Sequence, residues 1–230
     1  MEQLILELAK PEAPAFANFV AGRNHEAVAM LRRLASGDVG ETSVVIWGPS
    51  GVGKTHLLHA VAAAAAAAGR QVRYMDNGAR IELPPVTGAL VCVDAVDRAD
   101  PDAQGRLFTL YNALAASHGQ LLAAASAAPA RLALRDDLRT RLAHGLVYEI
   151  AALPDHDKAQ ALGAYAAERG FRLSTDVIDY LLAHGRRDMA TLVTTLAALD
   201  RHSLAAKRPI TVPLLREWMQ RGTSGRDRPR

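Results

Sequence analysis

One cysteine in 230 residues, Cys92, has no partner, which excludes a disulfide scaffold or a thiolate metal cluster. Its surroundings, "ALVCVDAV", read as apolar core, with the thiol a small buried hydrophobe. Aromatic residues make up only 5% of the chain, so platforms for stacking unpaired bases are few. No apolar run approaches the ~20 residues a bilayer requires, and the alanine run from Ala62 to Ala68 falls far short. "MEQLILELAK" carries Glu2, Glu7 and Lys10 around its leucines, which fits neither a secretory signal nor a spanning helix. A reduced, cytoplasmic protein is the expectation. Net charge is also missing from the body of the chain. The formal charge is +3 and the pI 9.2, but the last ten residues, "RGTSGRDRPR", hold four Arg and one Asp and account for all of the excess. A neutral body argues against coating nucleic acid through a broad basic surface. The tail 221–230 reads as a solvated, disordered end.

What is present is ordinary globular material, half hydrophobic and 22% charged, enough for one medium α/β domain and a smaller satellite. Five apolar or β-branched runs read as buried strands: 43–47, 71–75, 89–94, 120–126 and 145–150. Helical patterns between most of them predict a parallel sheet covered on both faces. From Pro154 onward the strand signals stop. "DHDKAQALGAYAAERG" places Ala161, Leu162, Tyr165 and Ala166 on one face and ends at Gly170, while "STDVIDYLLAHG" starts at Ser174 or Thr175 and ends at Gly185. Met189, Leu192, Val193, Leu196 and Leu199 form a stripe at helical spacing, and "TVPLLREWMQ" adds a last helix with proline in its first turn. The expected plan is an N-terminal peptide at 1–10, an α/β core at 11–153, a helical lid at 154–220 and the tail.

The strongest motif is "GPSGVGKT", residues 48–55, which fits G-x-x-x-x-G-K-[ST] without a mismatch, after a strand and before a helix. Gly48, Gly51 and Gly53 let the loop turn, so that backbone N–H groups along Gly48, Pro49, Ser50, Gly51, Val52 and Gly53 can cradle phosphate, proline supplying no donor. Lys54 can reach the β and γ phosphates, and Thr55 can hold Mg²⁺. Asp94, closing "LVCVD", is the matching acid for the metal's water shell.

Loop, acid, strands and helical lid together resemble the AAA+ P-loop NTPase fold, and two further stretches resemble its DnaA-like family. "FANFVAGRNHEAVAML", 16–31, is similar to the family's F-x-N-F-x-x-G segment, which packs beside the adenine and implicates Phe19 and Val20. "DLRTRLAHGLVYEIAALPDHDK" is similar to its box VII, in which the arginine of a T-R-[LF] triplet is a finger, here Arg141, with Arg139 a rival two positions away. By the same resemblance Ser126 falls at sensor 1 and Ala190 at the sensor 2 arginine, with Arg186 or Arg187 as substitutes. AAA+ ATPases usually follow the metal acid with a second acid that orients water. Ala95 stands there instead, and Asp97 is expected to point elsewhere.

Within the family the chain is most similar to the shorter regulatory-inactivator branch, the Hda proteins. It ends too soon after "TVPLLREWMQ" for the initiator's helix-turn-helix module, and its core starts too early for the initiator's N-terminal domain. "QLILEL" resembles that branch's peptide for the DNA polymerase sliding clamp, with Gln3 orienting and Leu4, Leu6 and Leu8 anchoring an extended segment. The resemblance implies a negative regulator of replication initiation that retains ADP, or ATP, with Mg²⁺. Tied to the DNA-loaded clamp, it would supply Arg141 in trans to ATP-bound DnaA, with little hydrolysis of its own. Two alternatives remain open: a DNA-remodelling ATPase or helicase loader that binds single strands, and a small-molecule kinase on the same loop. The first requires a basic groove, and the second leaves "QLILEL" unexplained.

Overall fold

The computed structural model describes residues 13–76, 87–186 and 188–224, with side chains to residue 220. These residues divide into two compact units, one spanning Ala13–Ala152 and the other beginning at Leu153.

The first unit is built on five parallel strands, β1 (Ser43–Trp47), β2 (Val72–Met75), β3 (Leu90–Val93), β4 (Gln120–Ala125) and β5 (Leu146–Glu149), in the order β2-β3-β4-β1-β5. The three central strands are nearly continuous apolar runs because both faces are covered, and period-two alternation divides their side chains between two cores. Val44, Ile46, Leu90, Cys92, Leu122 and Ala124 meet α1 (His25–Ser36) and α2 (Lys54–Ala67) on one face. Val45, Val91, Val93, Leu121, Ala123 and Ala125 meet α3 (Pro101–Ala116) and α4 (Asp136–His144) on the other. Cys92 is fully buried, and burial pushes its thiol up to about 12.

Alanine serves close packing in α2. Leu57, Leu58, Val61 and Ala65 are fully buried against α1 and the sheet, whereas Ala63, Ala66 and Ala67 face outward. Among the described residues no helix is long and apolar enough to cross a membrane.

Asn24 fastens the start of α1 to the end of β5. The side chain is buried, donates to the Ala151 carbonyl at 3.1 Å and accepts from the Ala151 N–H at 2.8 Å. Both backbone groups of Ala151 are thereby satisfied by one amide.

The second unit contains α5 (Asp155–Glu168), α6 (Thr175–His184), α7 (Met189–Ala206) and α8 (Val212–Ser224). Leu162, Val177, Leu181, Leu192, Leu196, Leu199, Leu214 and Leu215 form its core, and Met189, Val193 and Tyr165 pack against it. Gly170, at φ +78°, takes the left-handed turn after α5, its N–H bonding Ala167 and that of Phe171 bonding Ala166.

Replacing Asn24 by Ala strands a buried donor and acceptor at Ala151, at a cost of about 2–4 kcal/mol. Urea denaturation of the variant should show a correspondingly lower midpoint at unchanged slope, with Asn24→Asp, which sets a carboxylate against the Ala151 carbonyl, doing no better.

Candidate functional site

β1 is flanked by β4 and β5, and β4 by β1 and β3, so the loops following β1, β3 and β4 open at the same carboxyl edge of the sheet. Gly48 leaves β1 with its N–H on the Ala125 carbonyl at 3.3 Å. The loop returns at Gly53, whose φ of +97° makes it the left-handed residue immediately before α2. A Cβ at Gly53 would lie 2.8 Å from the Phe19 ring, so this position needs glycine for both conformation and space. Gly48 is buried, Val52 and Gly53 half-buried, and Pro49, Ser50 and Gly51 exposed.

Lys54 Nζ donates to the carbonyls of Gly48 and Pro49, at 2.7 Å each, arching over the loop. Burial lowers its pKa, with Asp94 and then Asp97 acting in the opposite direction. An ammonium held by carbonyls rather than a carboxylate can exchange them for phosphate oxygens. Thr55 Oγ1 donates to Asp94 Oδ2 at 2.6 Å, the Tyr74 hydroxyl donates to the same oxygen at 3.3 Å, and the Ala95 N–H holds Oδ1 at 2.8 Å. The hard-oxygen pair Thr55 and Asp94 suits a Mg²⁺ that keeps waters and phosphates for the rest of its shell. With α2's free N–H groups and dipole beside Lys54, the residues fit a nucleotide phosphate chain and its metal.

Segment 13–24 wraps beside this loop. Asn18 bonds back to Ala15 N–H at 2.9 Å and to the Ala13 carbonyl at 3.0 Å, closing the turn that presents Phe19 and half-buried Val20. Phe19 packs on His56 at 5.6 Å between ring centroids, and His56 Nε2 donates to the Ala15 carbonyl at 3.0 Å.

Asp97 departs from expectation. It does not point away. Ala95 adopts φ +47°, and the 3-10 turn Val96–Arg98 that follows swings Asp97 across the head of β4, where it accepts from Ser126 N at 3.2 Å and from Ser126 Oγ at 2.7 Å. No local signal announced the left-handed turn at Ala95 that places it there. Tyr74, stacked on His59 at 4.1 Å with its hydroxyl pKa raised by burial and then by Asp94, was also missed and has no local sequence signature.

Arg141 lies on α4 and is exposed. Its guanidinium sits over the Tyr111 ring at 5.7 Å and has no carboxylate partner among the described residues. Arg139 is instead paired with Asp136 at 2.7 Å. None of Arg141's contacts is with loop 48–55. Ala190 is in the first turn of α7, whose N-cap Asp188 accepts from Thr191 N at 2.9 Å and pairs with Arg186 at 3.6 Å. Arg187 lies outside the described residues, as do Gln3, Leu4, Leu6 and Leu8 and positions 225–230.

The family model of the bacterial DnaA ATPase domain matches residues 11–80, and that of the Hda lid domain matches 155–219. The chain is a DnaA/Hda-like AAA+ protein. Its similarity to solved structures extends over most of the DnaA-like chain. Domain III of the Thermotoga maritima replication initiation protein DnaA matches with a TM-score of 0.73 at 16% identity, over 89% of this chain and 94% of that one. A replication initiator DnaA bound to AMPPCP and single-stranded DNA matches with a TM-score of 0.67 at 21% identity, over 81% of this chain and 64% of that one. The RuvB Holliday junction branch migration motor of Thermotoga maritima follows at 0.66 and 16%, over 90% and 71%. At these identities the likeness is one of fold.

Gly53→Ala should cost at least tenfold in nucleotide affinity by calorimetry, roughly 1.4 kcal/mol, because the methyl meets Phe19 and an alanine resists positive φ.

Proposed function

We propose that this chain is a DnaA-related regulator of replication initiation that retains a nucleotide in its own P-loop and acts on the nucleotide of a neighbouring initiator. The observation that carries the reading is Arg141. It stands exposed on a helix anchored by fully buried Leu138 and Leu142, resting on an aromatic ring with no carboxylate partner among the described residues. An arginine supplied in trans stabilises the charge of a transferring phosphoryl group and accelerates hydrolysis by ~10³–10⁵.

In this reading Lys54 and the N–H groups of residues 50–53 hold the phosphates of ADP, Thr55 and Asp94 hold its Mg²⁺, and Phe19 and Val20 flank the base. The nucleotide, when bound, supplies the negative charge that organises the loop. Ala95 gives no side chain to orient water, which suits a protein whose own turnover is weak. Gln3, Leu4, Leu6 and Leu8 dock on the DNA-loaded sliding clamp, so that Arg141 acts only where replication has begun, in the cytoplasm. Support for this reading comes from the DnaA ATPase and Hda lid models and from a DnaA neighbour that binds AMPPCP.

The test is ATP hydrolysis by the cognate DnaA in the presence of DNA-loaded clamp. The wild type should accelerate it, Arg141→Ala should lose at least about a hundredfold of that stimulation while still binding the clamp, and Arg139→Ala should retain most of it. No acceleration by the wild type, together with ATP turnover by this chain alone on single-stranded DNA, would replace the regulator with a motor.

A further inference from the structure

The phosphate end of the P-loop faces a second acid that the proposed function leaves unused. Gly48 N–H on the Ala125 carbonyl seats Ser126 beside the first residue of the loop, and Ser126 in turn holds Asp97 through both its N–H and its hydroxyl, at 3.2 and 2.7 Å. A P-loop lysine reaches the β and γ phosphates and the Thr that follows it takes the metal. The side of the loop bounded by Lys54, the Thr55–Asp94 pair and Ser126 is therefore where a γ-phosphate would stand.

Two properties of that side follow from the bonds. A serine hydroxyl has one proton, and that of Ser126 is spent on Asp97, so a phosphate oxygen arriving there meets lone pairs rather than a donor. Asp97 also adds a carboxylate to the one at Asp94, and both act on the Lys54 ammonium. A diphosphate is served by Lys54 and the backbone N–H groups alone, whereas a third phosphate must bring further negative charge against this acid.

We propose that Asp97, held in place by Ser126, is a specificity-determining residue that sets this site against nucleoside triphosphate and in favour of diphosphate. The inference rests on the nucleotide-site reading above and gives its diphosphate preference a source in one named side chain. It assigns Asp97 a role opposite to that of a water-activating acid. Both Asp97 oxygens accept from Ser126, which fixes the carboxylate's orientation and leaves each oxygen a further lone pair, so the turnover measurement below separates the two roles.

Calorimetric titration of Mg·ADP and Mg·AMPPCP tests this, since AMPPCP carries a third phosphoryl group yet is not turned over. The wild type should bind ADP about tenfold tighter or more. Asp97→Asn, which keeps an oxygen for Ser126 but removes the charge, should tighten AMPPCP by about fivefold and leave ADP within about twofold. Asp97→Ala should move the ratio the same way, and Ser126→Ala, which retains the acid, should leave ADP preferred. A ratio equal in wild type, Asp97→Asn and Asp97→Ala overturns the proposal. So does ATP turnover by the wild type that Asp97→Asn abolishes at unchanged AMPPCP affinity. If the wild type binds neither nucleotide, the nucleotide-site reading itself falls. If it binds both and Asp97 does not matter, only this inference does.

Discussion

The parallel pairing of β4 between β3 and β1 is the constraint on which the site depends. Its register sets Trp47 opposite Ala125 and Val93 opposite Ala123, so β1 and β4 end level and β3 ends two residues short. The glycine loop, Ser126 and Asp94 then emerge side by side from adjacent strand ends. That register is fixed by burial on both faces. A one-residue slip of β4 would exchange Leu122 and Ala124 with Leu121 and Ala123, moving bulky leucines between two cores already filled by helices. A fully buried leucine contributes roughly 1.5–3 kcal/mol. The chemistry at the edge is thus held by packing well away from it.

Most of the fold was legible because it is written in local pattern. The runs at 43–47, 120–126 and 145–150 became β1, β4 and β5 with little change at their ends, and the stripe of Leu192, Leu196 and Leu199 became the buried face of α7. The P-loop was legible for a related reason: its glycines, lysine and threonine are contiguous, and contiguity is what a sequence displays.

What could not be read were contacts between residues far apart in the chain. Asn24 satisfies Ala151 across 127 positions, and Tyr74 reaches Asp94 from a neighbouring strand. Asp97 was misjudged for a different reason. Counting residues past the strand assumes that the chain continues straight, and here Ala95 turns it with a left-handed backbone that β-carbon sterics normally disfavour. That conformation costs about 1 kcal/mol or more and is repaid locally by the Ala95 N–H bond to Asp94 and by the Asp97 bonds to Ser126. The same turn thus sets Asp94 and brings in the second carboxylate, Asp97.

The two arginines of α4 show how a finger meant for another molecule's phosphate would be kept ready. A carboxylate partner would have to be given up before Arg139 could act, and that pair is already formed with Asp136. Arg141 gives up only a ring contact, about 0.5–1 kcal/mol at an exposed site, far less than a desolvated phosphate returns. Its backbone is meanwhile rigid, with buried Leu138 and Leu142 on either side and its carbonyl accepting from Ser43 Oγ at 3.3 Å. A fixed base with a weakly held tip lowers the cost of reaching outward, whereas a fully solvated arginine on a loop would pay for its ordering at the moment of action. In the proposed role, the neutral side chain at Ala95 and the exposed guanidinium at Arg141 are complementary. The chain's own nucleotide would meet no water-orienting acid at Ala95, and the arginine that could complete a hydrolytic site would be offered outward, to a partner.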